Sequence, residues 1–109
     1  MRSDSLTVIR LEGELEISRR DEIAKALRLD GSERGVLLDF SNVSYADSTS
    51  LAELLRFRAD AEPHHIPIAV VIGSRQFARL IQYAALSAAF KIFDDRGAAL
   101  TYLSDPDAT

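Results

Sequence analysis

A run of apolar residues followed directly by a polar cluster restricts the fold of this chain more than any other feature. Residues 36–40, Val-Leu-Leu-Asp-Phe, are nearly all apolar over the length of a strand, which predicts a strand covered on both faces. Residues 47–50, Asp-Ser-Thr-Ser, follow, and their side-chain oxygens can accept hydrogen bonds from the free N–H groups of a first helical turn. The apolar residues beyond them take helical spacing, so we predict a helix over residues 48–61.

This helix is predicted to have one apolar and one charged face. The apolar face should pack on the sheet and contains Leu51, Ala52, Leu54, Leu55, Ala59 and Ala61. The opposite face carries Glu53, Arg56 and Asp60, whose spacing suits ion pairs between neighbouring turns. Phe57 lies at the margin of the apolar face, so a core position and an exposed partner contact both remain open for it.

Three further strands are predicted along the chain. They cover residues 6–11, 68–72 and 91–93, because these stretches are apolar and rich in β-branched or aromatic residues. A turn should follow the first strand at residues 12–16, and two prolines bracket a loop at residues 62–67.

Helices are predicted between and after these strands. Ser18 should cap a helix that runs to about residue 29, and Ser74 should cap the helix after the third strand. Residues 85–90 continue that helix as a loop or a frayed end, and Asp94 and Asp95 open a last helix or turn. Strands alternating with helices predict an α/β fold with a mostly parallel sheet. Sites in such sheets form beyond the carboxyl ends of strands, which is where the polar cluster lies.

Composition limits the classes of partner and compartment. The 109 residues suit one domain, which we assign to residues 1–104, followed by a flexible tail at 105–109. A formal net charge of −4 argues against nucleic acid as a direct partner, and no apolar run approaches the length of a membrane span. Residues 1–5 lack the apolar core of a signal peptide, and the chain has no cysteine. We therefore expect a cytoplasmic protein without membrane insertion.

Catalytic and metal-binding groups are sparse in the sequence. The glycines are dispersed, so no phosphate-binding glycine loop is present, and we expect no cofactor. His64 and His65 are adjacent in the proline-bracketed loop, and the helix of about thirteen residues would separate them from Ser48 by roughly 20 Å, too far for a catalytic triad. Asp39 and Asp47 could bind Mg²⁺, but no third acidic residue is near them in sequence. We therefore expect no catalytic residue and no metal site.

Four segments resemble the STAS domain of bacterial anti-sigma factor antagonists. Residues 13–16, Gly-Glu-Leu-Glu, resemble the Gly-Glu-Leu-Asp that follows an early strand in that family. Residues 38–51 resemble its central signature, Asp-Ser-Ser/Thr-Gly-Leu at a strand–helix junction, and residues 70–73 and 93–100 fall where its later strand and last helix lie. The resemblance covers nearly the whole chain. It implies a STAS-like fold with four or five strands in a mostly parallel sheet and about four helices.

The resemblance also implies a function. Ser48 occupies the position that is phosphorylated in antagonists by a serine kinase that is itself the anti-sigma factor, and Thr49 is the alternative acceptor. Such an antagonist is a binding partner and not an enzyme, and it regulates transcription indirectly by partner switching. The implied contact surface is the loop 45–50 with the outer ridge of the following helix. Its members are Tyr45, Asp47, Ser48, Thr49, Ser50, Leu51, Glu53, Arg56, Phe57 and Asp60.

Three departures from the family pattern qualify this interpretation. Ser50 stands where the family usually has glycine, which bears on whether Ser48 is phosphorylated, and Glu16 replaces the usual aspartate. The additional N-terminal strand that is common in the family is shortened or missing, because only five residues precede Leu6. A homodimer is compatible with the sequence.

Two other functions remain open. A non-switching STAS subunit, such as the small partner of a lipid-transport ABC ATPase or a component of a signalling scaffold, would use the same helix face constitutively, and Ser50 favours this alternative. A small enzyme is the third hypothesis.

Overall fold

A computed structural model describes residues 6–84 and 90–104 of the chain. The described strands are β1 (Thr7–Leu15), β2 (Val36–Ala46), β3 (Ile68–Ile72) and β4 (Lys91–Phe93), and the described helices are α1 (Arg20–Ala26), α2 (Ser48–Ala61), α3 (Arg75–Tyr83) and α4 (Arg96–Ser104). The strands form one sheet in the order β1-β2-β3-β4, and every neighbouring pair is parallel. The predicted α/β fold with a parallel sheet is therefore confirmed.

Helices cover both faces of the sheet, as the continuous apolar run in β2 predicts. Val36, Leu38 and Phe40 face the larger core, to which α1, α2 and α3 contribute. Leu37, between them, faces the smaller core under α4. The ring of Phe40 stacks on Phe77 of α3 with centroids 5.8 Å apart. Because side chains alternate along a strand, one apolar segment serves both cores.

Strand β1 is longer than the sequence predicts. Residues 12–16 are not a turn, since β1 continues to Leu15 and pairs with Ala46 at its end. The pairing shifts register between Arg10 and Glu12 and again between Gly13 and Glu14. Gly13 has a φ of +78°, a conformation that glycine adopts without strain, so the strand bends here without ending.

The first helix also begins differently from the prediction. Ser18 does not cap it; a short 3₁₀ turn, Ile17–Arg19, precedes α1, and the residue before α1 makes no side-chain capping bond. The Nη1 of Arg19 instead donates to the carbonyl oxygens of Glu12 (2.7 Å) and Glu14 (2.8 Å). The guanidinium therefore joins the segment before α1 to two backbone carbonyls of β1.

The later helices agree more closely with the sequence. Helix α2 spans residues 48–61 as predicted, and Ser74 caps α3 by accepting a hydrogen bond from the N–H of Phe77 (3.2 Å). Asp95 accepts from the N–H of Ala98 (2.9 Å) at the start of α4. The predicted loop 62–67 contains a 3₁₀ turn, Glu62–His64. The predictions for residues 1–5, 85–89 and 105–109 lie outside the described residues.

Candidate functional site

The site is built around Asp47, which links the end of β2 to the start of α2. Its Oδ1 accepts hydrogen bonds from the N–H groups of Thr49 (2.9 Å) and Ser50 (3.4 Å), which makes it the N-cap of α2. Its Oδ2 accepts from the N–H of Ile17 (3.2 Å), and its own N–H donates to the carbonyl of Leu15 (3.1 Å). One carboxylate thus joins the first turn of α2 to the segment that follows β1.

Ser50 reinforces the same connection. Its side chain is buried, with only 1% of the residue exposed, and its Oγ donates to the carbonyl oxygen of Leu15 at 2.8 Å. Glycine, which the resemblance predicts at this position, has no hydroxyl to make this bond. Ser50 is therefore a structural element of the junction and is not available to a partner.

Helix α3 supports the junction from the other side. The side-chain amide of Gln76 accepts a hydrogen bond from the N–H of Ala46 (2.9 Å) and donates to its carbonyl (2.7 Å). Sequence reasoning missed Gln76, because it lies 30 residues away from Ala46 in the chain and glutamine is unremarkable on a helix surface. No local signal identifies it.

The predicted acceptor hydroxyls are accessible. Ser48, the first residue of α2, is exposed, and Thr49 is partly exposed. Tyr45, near the end of β2, is exposed, and Asp47 is partly exposed. These four predicted contact residues lie within five consecutive positions, where β2 ends and α2 begins.

The two faces of α2 differ from the prediction. Phe57 is fully buried, and Leu51 and Ser50 are also buried, so these three predicted contact residues cannot meet a partner in this conformation. Ala52, Leu55 and Ala59 were expected in the core, yet they are exposed, Leu55 by 44%. The apolar face that the sequence predicts is therefore wider than the buried face of the helix.

One exposed stripe runs along α2, since at about 100° per residue the positions three or four apart lie on the same side of a helix. We call it the α2 stripe, and its members are Ser48, Ala52, Leu55 and Ala59.

The charged ridge of α2 is partly covered by α1 and partly exposed to solvent. Glu53 is only 8% exposed and contacts Arg56 (3.0 Å) and Arg20 of α1 (3.8 Å). Arg56 also pairs with Asp60 at 2.7 Å and donates to the carbonyl of Leu27, just beyond α1, at 2.8 Å. Of the predicted ridge, Arg56 and Asp60 keep exposed surface, whereas Glu53 belongs to the contact between the helices.

Two exposed apolar side chains near the site were not predicted as contacts. Ile17 is 70% exposed, and its N–H bonds to the Asp47 carboxylate. Leu55 lies on the α2 stripe. Tyr45 is a third exposed side chain with apolar surface, three residues before Ser48 in the sequence. The signal for Ile17 was an apolar residue in a segment otherwise rich in charge, directly after the Gly-Glu-Leu-Glu motif.

The structure does not bring the candidate metal ligands together. Asp39 is buried on the α4 side of the sheet, where its carboxylate contacts Arg96 (2.9 Å) and Arg10 (3.3 Å), whereas Asp47 caps α2. Burial raises the pKa of the Asp39 carboxyl, but hydrogen bonds from the hydroxyl and N–H of Ser41 and from Arg10 outweigh it and hold the pKa below its usual value. Among residues 6–84 and 90–104, no group of three or more His, Cys, Asp or Glu side chains could hold a metal ion.

Neither histidine lies in a catalytic arrangement in the part of the chain that the structure describes. His64 and His65 are exposed in and after the 3₁₀ turn that follows α2, at the end of that helix opposite Ser48.

None of the described helices has the length and hydropathy needed to cross a bilayer.

Comparison with solved structures shows the shared fold. The chain is similar to a candidate anti-sigma factor antagonist from Thermotoga maritima, with 20% identity, a TM-score of 0.84 and coverage of 95% of this chain and 92% of that one. It is similar to an anti-sigma factor antagonist from Mycobacterium paratuberculosis, with 20% identity, a TM-score of 0.85 and coverage of 96% and 91%. The anti-sigma factor antagonist SpoIIAA in its unphosphorylated form matches with 20% identity, a TM-score of 0.63 and coverage of 93% and 90%.

A family model gives the assignment. The model described as "Mlab, STAS domain" matches residues 2–93, which include β1 to β4 and the whole junction around Asp47. This match confirms the resemblance found in the sequence motifs. The chain belongs to the STAS domain family.

Proposed function

We propose that this protein is a cytoplasmic anti-sigma factor antagonist that binds an anti-sigma factor with serine kinase activity and is released when Ser48 is phosphorylated. It acts by binding and not by catalysis, and it regulates transcription indirectly. The observation that carries the proposal is the exposed Ser48 hydroxyl at the first residue of α2, on a junction fixed by Asp47. The fold shared with solved anti-sigma factor antagonists supports it.

The α2 stripe supplies the contact surface in this proposal. Ala52, Leu55 and Ala59 present a row of small and apolar side chains that starts at Ser48. Ile17, whose N–H bonds to Asp47, and Tyr45, near the end of β2, are also exposed. A partner helix or loop that packs along this row would remove Leu55 and Ile17 from water, which favours binding. It would also cover Ser48. Arg56 and Asp60 lie at the rim, where charged residues contribute more to specificity than to affinity.

Phosphorylation of Ser48 would oppose such packing without changing the fold. The N–H groups of Thr49 and Ser50 already donate to Asp47, so a phosphate on Ser48 would remain at the surface beside that carboxylate. The phosphate adds about −1.5 to −2 charges at neutral pH. A partner that desolvates this charge without a cation to pair with it loses several kcal/mol, and about 1.4 kcal/mol is already tenfold in affinity. One modification can therefore dissociate the complex.

A second candidate is a non-switching STAS subunit, such as the small partner of a lipid-transport ABC ATPase. Ser50 favours this candidate, because the hydrogen bond from its hydroxyl to the Leu15 carbonyl (2.8 Å) stabilises the junction whether or not Ser48 is phosphorylated. The matching family description names Mlab and no anti-sigma factor antagonist, so it does not favour the first candidate over the second. In this case the α2 stripe would bind its partner permanently and Ser48 would serve only as the first residue of the helix.

The two candidates are separated by the partner that the protein captures from its own cell extract. Three baits are used: the unmodified protein, Leu55→Glu on the α2 stripe, and Thr101→Glu at an exposed position of α4 as the matched control. A kinase-like anti-sigma factor held by the unmodified protein and Thr101→Glu, but not by Leu55→Glu, is the expected result. Capture of a transporter ATPase with the same dependence on Leu55 would replace the first candidate by the second.

A further inference from the structure

Strand β2 extends well beyond its neighbour β3. Their pairing ends at Phe40 and Ile72, whereas β2 continues to Ala46 and remains paired with β1 along the extension. On the other side of the extension lies the start of α3. The backbone of Gly73, just before α3, lies so close to β2 that a Cβ at this position would be 2.6 Å from the carbonyl oxygen of Ser41. The extension therefore has a strand on one side and a helix N-terminus on the other.

The side chain of Gln76 takes the place of the missing strand. Ala46 is fully buried, and both of its backbone groups point to the α3 side, where Gln76 accepts from the N–H (2.9 Å) and donates to the carbonyl (2.7 Å). A primary amide offers the same donor and acceptor as a peptide group, so Gln76 reproduces one rung of a sheet. Without it, two buried backbone groups would have no partner, which is costly.

The junction is consequently held from two sides. On the β1 side, the carbonyl of Leu15 accepts from the N–H of Asp47 and the hydroxyl of Ser50, while on the α3 side Gln76 holds Ala46. Ala46 lies only two residues before Ser48. We infer that Gln76 is a positioning residue, which fixes the direction of the backbone at the end of β2 and so the orientation in which Ser48 meets a partner. The effect of Gln76 on binding rests on the proposed function. The two hydrogen bonds between Gln76 and Ala46, which we call the clamp, can be tested without any partner.

The first test replaces Gln76 by leucine, which keeps the size but cannot hydrogen-bond. Gln82→Leu, an exposed position on the same helix, is the matched control. Amide hydrogen exchange is followed at Ala46 and Thr49 in the junction, and at Ala99 in α4 as the distant reference. We expect Ala46 protection to fall by about tenfold or more in Gln76→Leu, with a smaller loss at Thr49 and none at Ala99. Unchanged protection at Ala46, or an equal loss at Ala99, would overturn the inference, because the second result describes general destabilisation.

The second test uses Gln76→Glu, whose geometry is the same but whose hydrogen bonding depends on protonation. A neutral carboxylic acid can accept from the N–H of Ala46 and donate to its carbonyl, as the amide does, whereas the carboxylate repels that carbonyl. The carboxylate keeps an acceptor for the N–H of Ala46 but has no donor for its carbonyl. The loss in free energy of unfolding relative to the native protein should therefore be larger at pH 7 than below the pKa of the introduced carboxyl, which is ordinarily about 4.3. A loss that does not depend on pH would contradict the role of Gln76 as donor to Ala46. Absence of the proposed anti-sigma partner would leave the exchange and unfolding results intact, so the two proposals fail separately.

Discussion

Position 50 carries a serine whose hydroxyl donates to the carbonyl of Leu15, 35 residues away in the sequence. From the sequence, Ser50 could be recognised only as a departure from the glycine usual in the family. Its role was not predictable, because the acceptor belongs to the end of β1, and the sequence pattern placed a turn there. Asp47 shows the opposite case, since a capping residue acts on the next three positions and local sequence suffices to identify the type of site.

Replacing Ser50 by alanine should lower the free energy of unfolding by about 0.5–1.5 kcal/mol, because a buried hydrogen bond is lost while Asp47 still satisfies the Leu15 carbonyl. Ser50→Gly should lower it by a further ~1 kcal/mol, since glycine is unfavourable within a helix. Urea unfolding measures both values. Ser104→Ala on the exposed face of α4 is the control, and an equal effect of the two alanine substitutions would show that the bond to Leu15 contributes nothing.

Helix α2 illustrates what periodicity determines at the level of an element. Its bounds were predicted, because the polar cluster and the change to helical spacing are local. The side of the helix that faces the neighbouring α1 was not predicted. Glu53 was therefore placed with the exposed ridge and Leu55 with the core. Similarly, β1 and β2 were predicted too short. Gly13 has a positive φ that lets β1 continue through a bend, and the pairing that extends both strands joins residues far apart in the sequence.

Arg56 connects α2 to α1, and its removal should therefore cost more than that of a neighbouring arginine. Arg56→Ala leaves the carboxylate of Glu53, which is mostly buried, without its nearest cation and the Leu27 carbonyl without its donor, so we expect a loss of about 1–3 kcal/mol. Arg58 on the same helix pairs at 3.4 Å with the exposed Glu62, and Arg58→Ala should cost at most about 1 kcal/mol. Chemical denaturation of both variants makes the comparison. Equal losses would mean that the contact between α1 and α2 does not depend on the arginine.

Across the whole molecule, Asp39 joins three elements. It lies on β2 and contacts Arg10 of β1 and Arg96 of α4, so one buried carboxylate ties the sheet to the helix on its second face. The order of elements and the parallel sheet followed from the sequence, because alternating strands and helices allow few arrangements. The arginine partners of Asp39 did not, since they come from the two ends of the chain. From the sequence, Asp39 was considered only as a possible Mg²⁺ ligand together with Asp47, and its two arginine contacts were not foreseen.

Asp39→Asn should lower the free energy of unfolding by about 1–3 kcal/mol at pH 7, since the ionised carboxylate that Arg10 and Arg96 contact is lost. The folded pKa of Asp39 lies below its ordinary value of 3.8, so the ionised group stabilises the fold above that value and the contribution disappears as the pH falls through the folded pKa. Urea midpoints of the native protein and the variant should therefore converge below pH ~4. A difference that persists unchanged in acid would show that the loss arises from packing and not from charge.

The proposed phosphorylation switch is tested most directly by titrating the captured anti-sigma factor with Ser48→Asp, Ser48→Ala, Ser104→Asp and the unmodified protein, after far-UV circular dichroism has shown that all are folded. Ser48→Asp should bind at least about tenfold more weakly, because it places an unpaired negative charge in the contact. Ser48→Ala should bind nearly as the native protein does, and Ser104→Asp, which adds the same charge on α4, should leave the affinity unchanged. Equal affinity of Ser48→Asp and the unmodified protein would contradict the switch and leave Ser48 as the first residue of a helix.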